Sequence, residues 1–207
     1  FSLFFKVEQD NFGIYLFSGV IVWSFFTEAT SGGMRLLKRK LYLIESIPFQ
    51  WIDIYYSNML SILFGFFFNA SALIIIGIFS GVFSGIHLFL LPIALAMLFL
   101  FTMGIQLVVS VVFPFVEDLD HLWDMALLLG FWGSGVVVNS DIIIQAVPWI
   151  IYLNPMIGLI EFFRNAIMGT PFIGYDFLMI IVFQTAIYFG LGIFIFKRMS
   201  IKAIEKL

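Results

Sequence analysis

The sequence predicts an all-α integral membrane protein: five transmembrane helices and, at the N-terminus, the remnant of a sixth. Three observations carry that expectation. Of 207 residues, 62% are apolar and only 11% are charged, against roughly a quarter charged in an ordinary soluble domain. The apolar residues fall into stretches near the ~20 residues needed to span a bilayer. The 10 basic residues collect mostly in two short segments instead of being spread along the chain. A soluble globule is therefore excluded. Against 13 acidic residues the net charge is −3, so no positive excess supports nucleic-acid binding. The cysteine count of 0 removes disulfides, thiolate chemistry and Cys-based metal sites.

The elements follow in order. Phe1 to Phe5 is an apolar stub running into the polar segment Lys6 to Asn11, with no basic head before it. That pattern fits the end of an earlier span rather than a signal peptide, and it predicts further residues upstream. Hydropathy then places spans at 12–28, 52–79, 87–113, 122–138 and 172–196. The segment 30–48 is too charged for hydrocarbon, and 139–171 is semi-polar and broken by Pro148 and Pro155. No repeat or flexible linker interrupts the chain, so residues 1–207 form one domain.

Orientation follows from the basic residues, because cytoplasmic loops are enriched in Lys and Arg. Arg35, Lys38, Arg39 and Lys40 share one loop, and Lys197, Arg198, Lys202 and Lys206 follow the last span. Both clusters are expected in the cytoplasm, and four crossings between them return the tail to the same side. The segment 139–171 then lies outside.

Three features stand out as candidate sites. On a helix through 30–48, Met34, Leu37, Leu41 and Ile44 keep the three-four spacing of an apolar stripe while the basic residues fall largely off it. Two readings fit: an interfacial helix on anionic lipid head groups, or a docking helix for a soluble partner. In the second feature, Asn154 suits a helix cap and Pro155 the first turn, with Glu161 and Arg164 three apart on one face. Residues 142–152 before it are apolar but too short to cross, which predicts two half-inserted helices forming an outer lid. The third feature is the aromatic surplus, 19% of the chain with 28 Phe. Trp23 and Trp132 fall deep in their spans, where they either pack against neighbouring helices or line a path for a ligand that stacks on rings. Gly130, Gly133 and Gly135 allow close helix approach. Acids avoid mid-span positions, and Asp120 with His121 reads as a helix cap and its solvated neighbour. No phosphate-loop, nucleophile-elbow or zinc-protease motif is present.

The order of these features resembles the membrane subunits of type-2 ABC exporters, in particular those moving O-antigen, capsular polysaccharide or teichoic acid. The resemblance covers nearly the whole chain. It rests on the span from Tyr15 to Glu28 with its Gly19, Trp23 and Phe25-Phe26, on the basic loop ending Ile47-Pro48, and on Phe115-Val116-Glu117-Asp118. It continues in Leu153-Asn154-Pro155-Met156, Ile160-Glu161-Phe162-Phe163-Arg164, Gly169 and the tail Lys197-Arg198. Glu117 stands where the family usually has Arg, and Gly135 where a Pro is typical.

The resemblance implies a homodimer working with two copies of an ATP-binding subunit in a bacterial cytoplasmic membrane. It makes Arg35, Leu37, Lys38, Arg39, Lys40 and Leu41 the coupling helix against that subunit. Asn154, Pro155, Glu161 and Arg164 become part of re-entrant outer gate helices, and Trp23, Phe25 and Trp132 candidates for the path of a lipid-linked glycan. ATP and Mg would enter only through the partner, leaving this chain without cofactor or catalytic residues, in contact otherwise with membrane lipids. The alternatives are a related exporter of drugs or lipids and an ion-coupled carrier or channel, which would typically show charges or broken helices around a midplane site. An enzyme acting on lipid-linked sugars is disfavoured, because the acids cluster at span ends.

Overall fold

The computed structural model describes residues 12–40, 51–82, 89–116, 118–169 and 174–206. Nine α-helices are named within them: α1 Phe12–Met34, α2 Leu36–Arg39, α3 Ile52–Phe79, α4 Leu91–Val112, α5 Leu119–Gly133, α6 Ser140–Ala146, α7 Ile150–Leu153, α8 Pro155–Met168 and α9 Gly174–Glu205. A 3-10 turn, Phe113–Phe115, extends α4, and no strand is present among the described residues. Among the described residues, four helices are long and apolar enough to cross a membrane: Phe12–Met34, Ile52–Phe79, Leu91–Phe115 and Asp176–Glu205. In lipid a helix satisfies its own backbone groups, which is why apolar runs of this length settle as helices.

Helix α4 is the central post, packing against α1, α3, α8 and α9. It touches α9 with backbone on backbone. A Cβ at Gly104 would strike the Tyr188 carbonyl and the Phe189 Cα, and one at Gly192 would strike the backbone of Gly104. Small residues at such crossings let helices gain van der Waals contact where lipid provides no hydrophobic drive between them. Around this crossing the rings interlock: Phe26 stacks on Phe101 at 5.7 Å, Phe101 meets Tyr188 edge-on at 5.3 Å, and Phe25 meets Phe66 at 5.4 Å.

Two expectations need correction. Helix α1 continues to Met34, so residues 30–34 complete the first span's helix; Thr30 and Met34 are buried. The fourth predicted span is a helix of 15 residues, about 22 Å at 1.5 Å per residue, short of the roughly 30 Å hydrocarbon core. The helix stops because Gly135 takes a positive φ of 76°, a conformation that costs glycine little. The chain nonetheless continues alongside α1. Trp123 reaches Thr30, Gly130 sits under Trp23, and Val136 lies against Gly19, so α5 and 134–136 run antiparallel to α1 over most of its length.

The third predicted span ends within a residue of α4, at Val112, whereas the helix of the fifth continues past 196 to Glu205. His87, Leu41, Ile44, Ile47, Pro48, Glu117 and the stub at Phe1 to Phe5 lie outside the described residues.

Replacing Gly104 or Gly192 with Leu should separate α4 from α9 and destabilise the bundle by roughly 1–3 kcal/mol or more, the range for overpacking. Thermal unfolding in detergent checks this; the same change at Gly65, where a Cβ would meet nothing within 4 Å, should be close to neutral.

Candidate functional site

The predicted helix start at Asn154-Pro155 is present as expected. The Asn154 side chain accepts from the Met156 N–H at 3.2 Å, Pro155 occupies the first turn, and Gly169 ends α8 at φ 65° with its N–H on the Asn165 carbonyl. The Asn154 amide also donates to the Gly133 carbonyl at 3.3 Å and to Ser134 Oγ at 2.9 Å. One asparagine thereby caps α8 and ties it to the end of α5.

From that point α8 runs along α1 toward its first turns. Pro155 and Met156 border a cavity beside Trp23, whereas Arg164 bonds Tyr15 and Ser18. Helices α6 to α8 therefore form a hairpin whose α8 arm packs against α1, α4 and α9, reaching about half the length of α1. Gln184 of α9 donates to the Ile151 carbonyl at 2.8 Å, about ten residues along α9 from its start.

Arg164 is the centre of this region, with 0% of its surface exposed. Its Nε donates to Ser18 Oγ at 3.3 Å. Nη1 donates to the Gly135 carbonyl and to Glu161 Oε1, both at 2.8 Å, and Nη2 to the carbonyls of Val136 at 2.9 Å and Tyr15 at 3.2 Å. An arginine has five N–H donors, and these five bonds use them. The guanidinium also lies 3.5 Å from the Tyr15 ring centre, a cation–π contact that strengthens as water is removed. Glu161 balances the charge and accepts a second bond from Ser140 Oγ at 2.7 Å. Space for the guanidinium comes from Gly19, where a Cβ would come within 2.6 Å of Nη2. The expected Glu161 to Arg164 pair thus exists, with the guanidinium buried inside the protein.

The opposite end of the bundle carries a different ion pair. Arg35 donates from Nε to Asp120 Oδ2 at 3.0 Å and from Nη2 to Oδ1. That fork joins the α1–α2 junction to the first turn of α5, and it raises the Arg35 pKa above its ordinary value. Asp120 is therefore not a cap; Asp118 holds the cap position without a side-chain bond. His121 is exposed. Of the other coupling candidates, Leu37 is buried in the core, Lys38 and Arg39 are exposed, Lys40 is half-buried and Leu41 is outside the described residues.

The aromatic candidates separate. Trp23 is buried, 5.5 Å from Phe26 and 6.2 Å from Phe131, and Phe25 is buried against Phe66. Trp132 is 58% exposed on an outward face of α5 that also shows Leu122, Met125, Leu128 and Leu129. Between α1, α4, α5, α8 and α9 lies a cavity of about 260 Å³ lined by Trp23, Phe26, Phe101, Trp123, Asn154 and Tyr188 among others. The acceptors Tyr15 and Val136 on Arg164 were not foreseeable, since they are backbone carbonyls; the adjacent small pair Ser18-Gly19 in an apolar helix was the one available signal.

Apolar spans, a glycine-tight core and an inserted helical hairpin define a multi-pass membrane protein with the build of a transport subunit. The family model described as "ABC-2 type transporter" matches residues 1–168, and the chain belongs to that family. Two proteins named O-antigen export system permease protein RfbA, from Klebsiella pneumoniae, are 22% and 23% identical over 206 residues, which cover 99% of this chain and 79% of each of them. A Myxococcus xanthus protein of the same name is 21% identical over 166 residues, 79% of this chain and 64% of its own length.

Removing one partner of a buried, bonded charge leaves its neighbours unpaired, a loss of about 3–5 kcal/mol, whereas an exposed pair contributes about 0–1 kcal/mol. Arg164→Leu should therefore sharply lower the yield and unfolding temperature of the protein, while Arg35→Ala changes them little. Comparable losses in the two variants would contradict this ranking.

Proposed function

We propose that the chain is the membrane-spanning permease subunit of an ATP-driven exporter that moves a lipid-linked polysaccharide or related glycan across the bacterial cytoplasmic membrane. The observation that carries this reading is end-to-end similarity to proteins named as O-antigen export permeases, over 99% of the chain. The basic residues orient it: with Arg35 to Lys40 and the Lys197 to Lys206 tail in the cytoplasm, the Arg35 end of the bundle faces inward and the Arg164 end outward. The α5 helix with 134–136 then serves as the fourth crossing, completing the even number that returns the tail inside.

Two copies of the chain would work with two ATP-binding subunits, which bring the ATP and Mg. Lys38 and Arg39 are exposed cations of the coupling segment at the cytoplasmic face and suit an acidic docking groove on that partner. Arg35 is engaged by Asp120, so it serves transmission: displacement of α2 draws on the start of α5. The exposed face of α5 with Trp132 suits the second copy of the chain and the glycan path between the two, because a ring face stacks on a sugar ring. Trp23 and Phe25, buried in the core, support the bundle instead.

Co-purification with the ATPase encoded beside it tests the docking role. Lys38→Glu with Arg39→Glu should cut capture about tenfold or more, as expected when facing charges are reversed, with the amount of permease unchanged; equal capture would refute it. Trp132→Ala should lower glycan export more than protein abundance, and Trp23→Ala should lower both together. Export and abundance measured in the same cells would show the reverse order if Trp23 lined the path.

A further inference from the structure

The two arms of the hairpin are held very differently. Helix α8 is buried along nearly its whole length, and Arg164 fixes it to the first turns of α1 and to 134–136 by bonds that no other side chain can replace in full. Lysine has three donors without the planar fork. The other arm, α6 and α7, is short, is interrupted at Val147-Pro148, and exposes Trp149, Tyr152 and Leu153. Its ends are pinned, at Ser140 by Glu161 and at Asn154 by Ser134. Between those pins Gln184 of the bundle wall bonds the Ile151 carbonyl, and Ile151 packs against the core.

We propose that Arg164 is a positioning residue that welds α8, the start of α1 and 134–136 into one rigid post, and that the moving part of the hairpin is the strap 141–153, which closes onto α9 through Gln184. This rests on the transport reading for its purpose, but not for its physics. Undocking α8 would strip the guanidinium of the four acceptors that lie off α8, at Tyr15, Ser18, Gly135 and Val136. Lifting the strap breaks one neutral hydrogen bond and uncovers residues that are exposed or half-buried, Ile151 among the latter. The outer gate predicted around Asn154 and Arg164 is then divided, with Arg164 and Glu161 on the fixed side and Trp149 to Leu153 on the moving side.

Hydrogen–deuterium exchange of the full chain in lipid nanodiscs tests the weld with neither ATPase nor cargo. Amides of 156–168 should exchange at least about tenfold more slowly than those of 142–153, since local opening sets the rate. Equal rates would overturn the proposal. Arg164→Lys should accelerate exchange in 156–168 and 16–20 while α3 and the middle of α9 keep theirs. Unchanged α8 protection, or loss of protection throughout the chain, would mean that Arg164 is not a local weld. Gln184→Leu should accelerate 150–153 and leave 156–168 as in the wild type; no change in the strap would remove Gln184 from the role.

In the complex with its ATPase, trapping with ATP and vanadate should alter exchange in 142–153 alone within the hairpin, and a change in 156–168 would overturn the division. Failure to capture any ATPase would count against the transport reading and leave the first three measurements standing.

Discussion

A fully desolvated guanidinium constrains this bundle more than any other group described in it. Taking a cation out of water costs several kcal/mol even after relaxation, and the cost is tolerable only when every donor finds an acceptor. Arg164 obtains three of its acceptors from backbone carbonyls, at Tyr15, Gly135 and Val136. Two of these carbonyls are free to turn inward because the chain leaves helical geometry after Gly133 and passes through Gly135 with positive φ. The early end of α5 and the burial of Arg164 are thus one arrangement: a continuous helix through 133–138 would have kept those carbonyls for its own ladder. Gly19 completes it by leaving room beside Nη2.

Much of the fold was legible in the sequence because membrane insertion imposes a length and an apolar threshold that composition must meet. The second span was placed at 52–79, where α3 lies, and the Asn154-Pro155 start of α8 followed from capping chemistry alone. Window hydropathy failed where tertiary hydrogen bonding decides. It ran the fourth span on to Val138, since Gly135-Val136-Val137-Val138 is apolar, and it could not register that a distant arginine claims the carbonyls there. It also ended the first span at Glu28, although the helix continues through Gly32-Gly33 because Gln106 packs on Gly33 and Thr30 bonds Trp123. At the site, the i, i+3 spacing of Glu161 and Arg164 predicted their pairing but not their burial. Spacing along one helix reports which side chains meet, and it is silent about which neighbouring helices cover them.

The contrast between the two ends of the bundle has a mechanical consequence. At the Arg35 end the fork to Asp120 is partly solvated, with side-chain exposures of 39% and 30%, so water can replace either partner at little cost and the contact can be made and broken repeatedly. At the Arg164 end the guanidinium itself is fully buried while Glu161 is only 15% exposed, so a bond lost by the guanidinium is not readily replaced by water. A bundle with a weak, renewable contact at one end and a desolvated staple at the other cannot bend evenly. Displacement at the Arg35 end can alter how α2 meets α5, whereas the first turns of α1, the link after α5 and α8 follow as a unit. The glycine crossing of α4 and α9 lies between the two ends, and backbone contact there leaves no side-chain layer to absorb shear. Motion that begins at the Arg35 end must therefore travel as movement of whole helices, and it can be released at the far end only in segments that neither the staple nor the crossing holds.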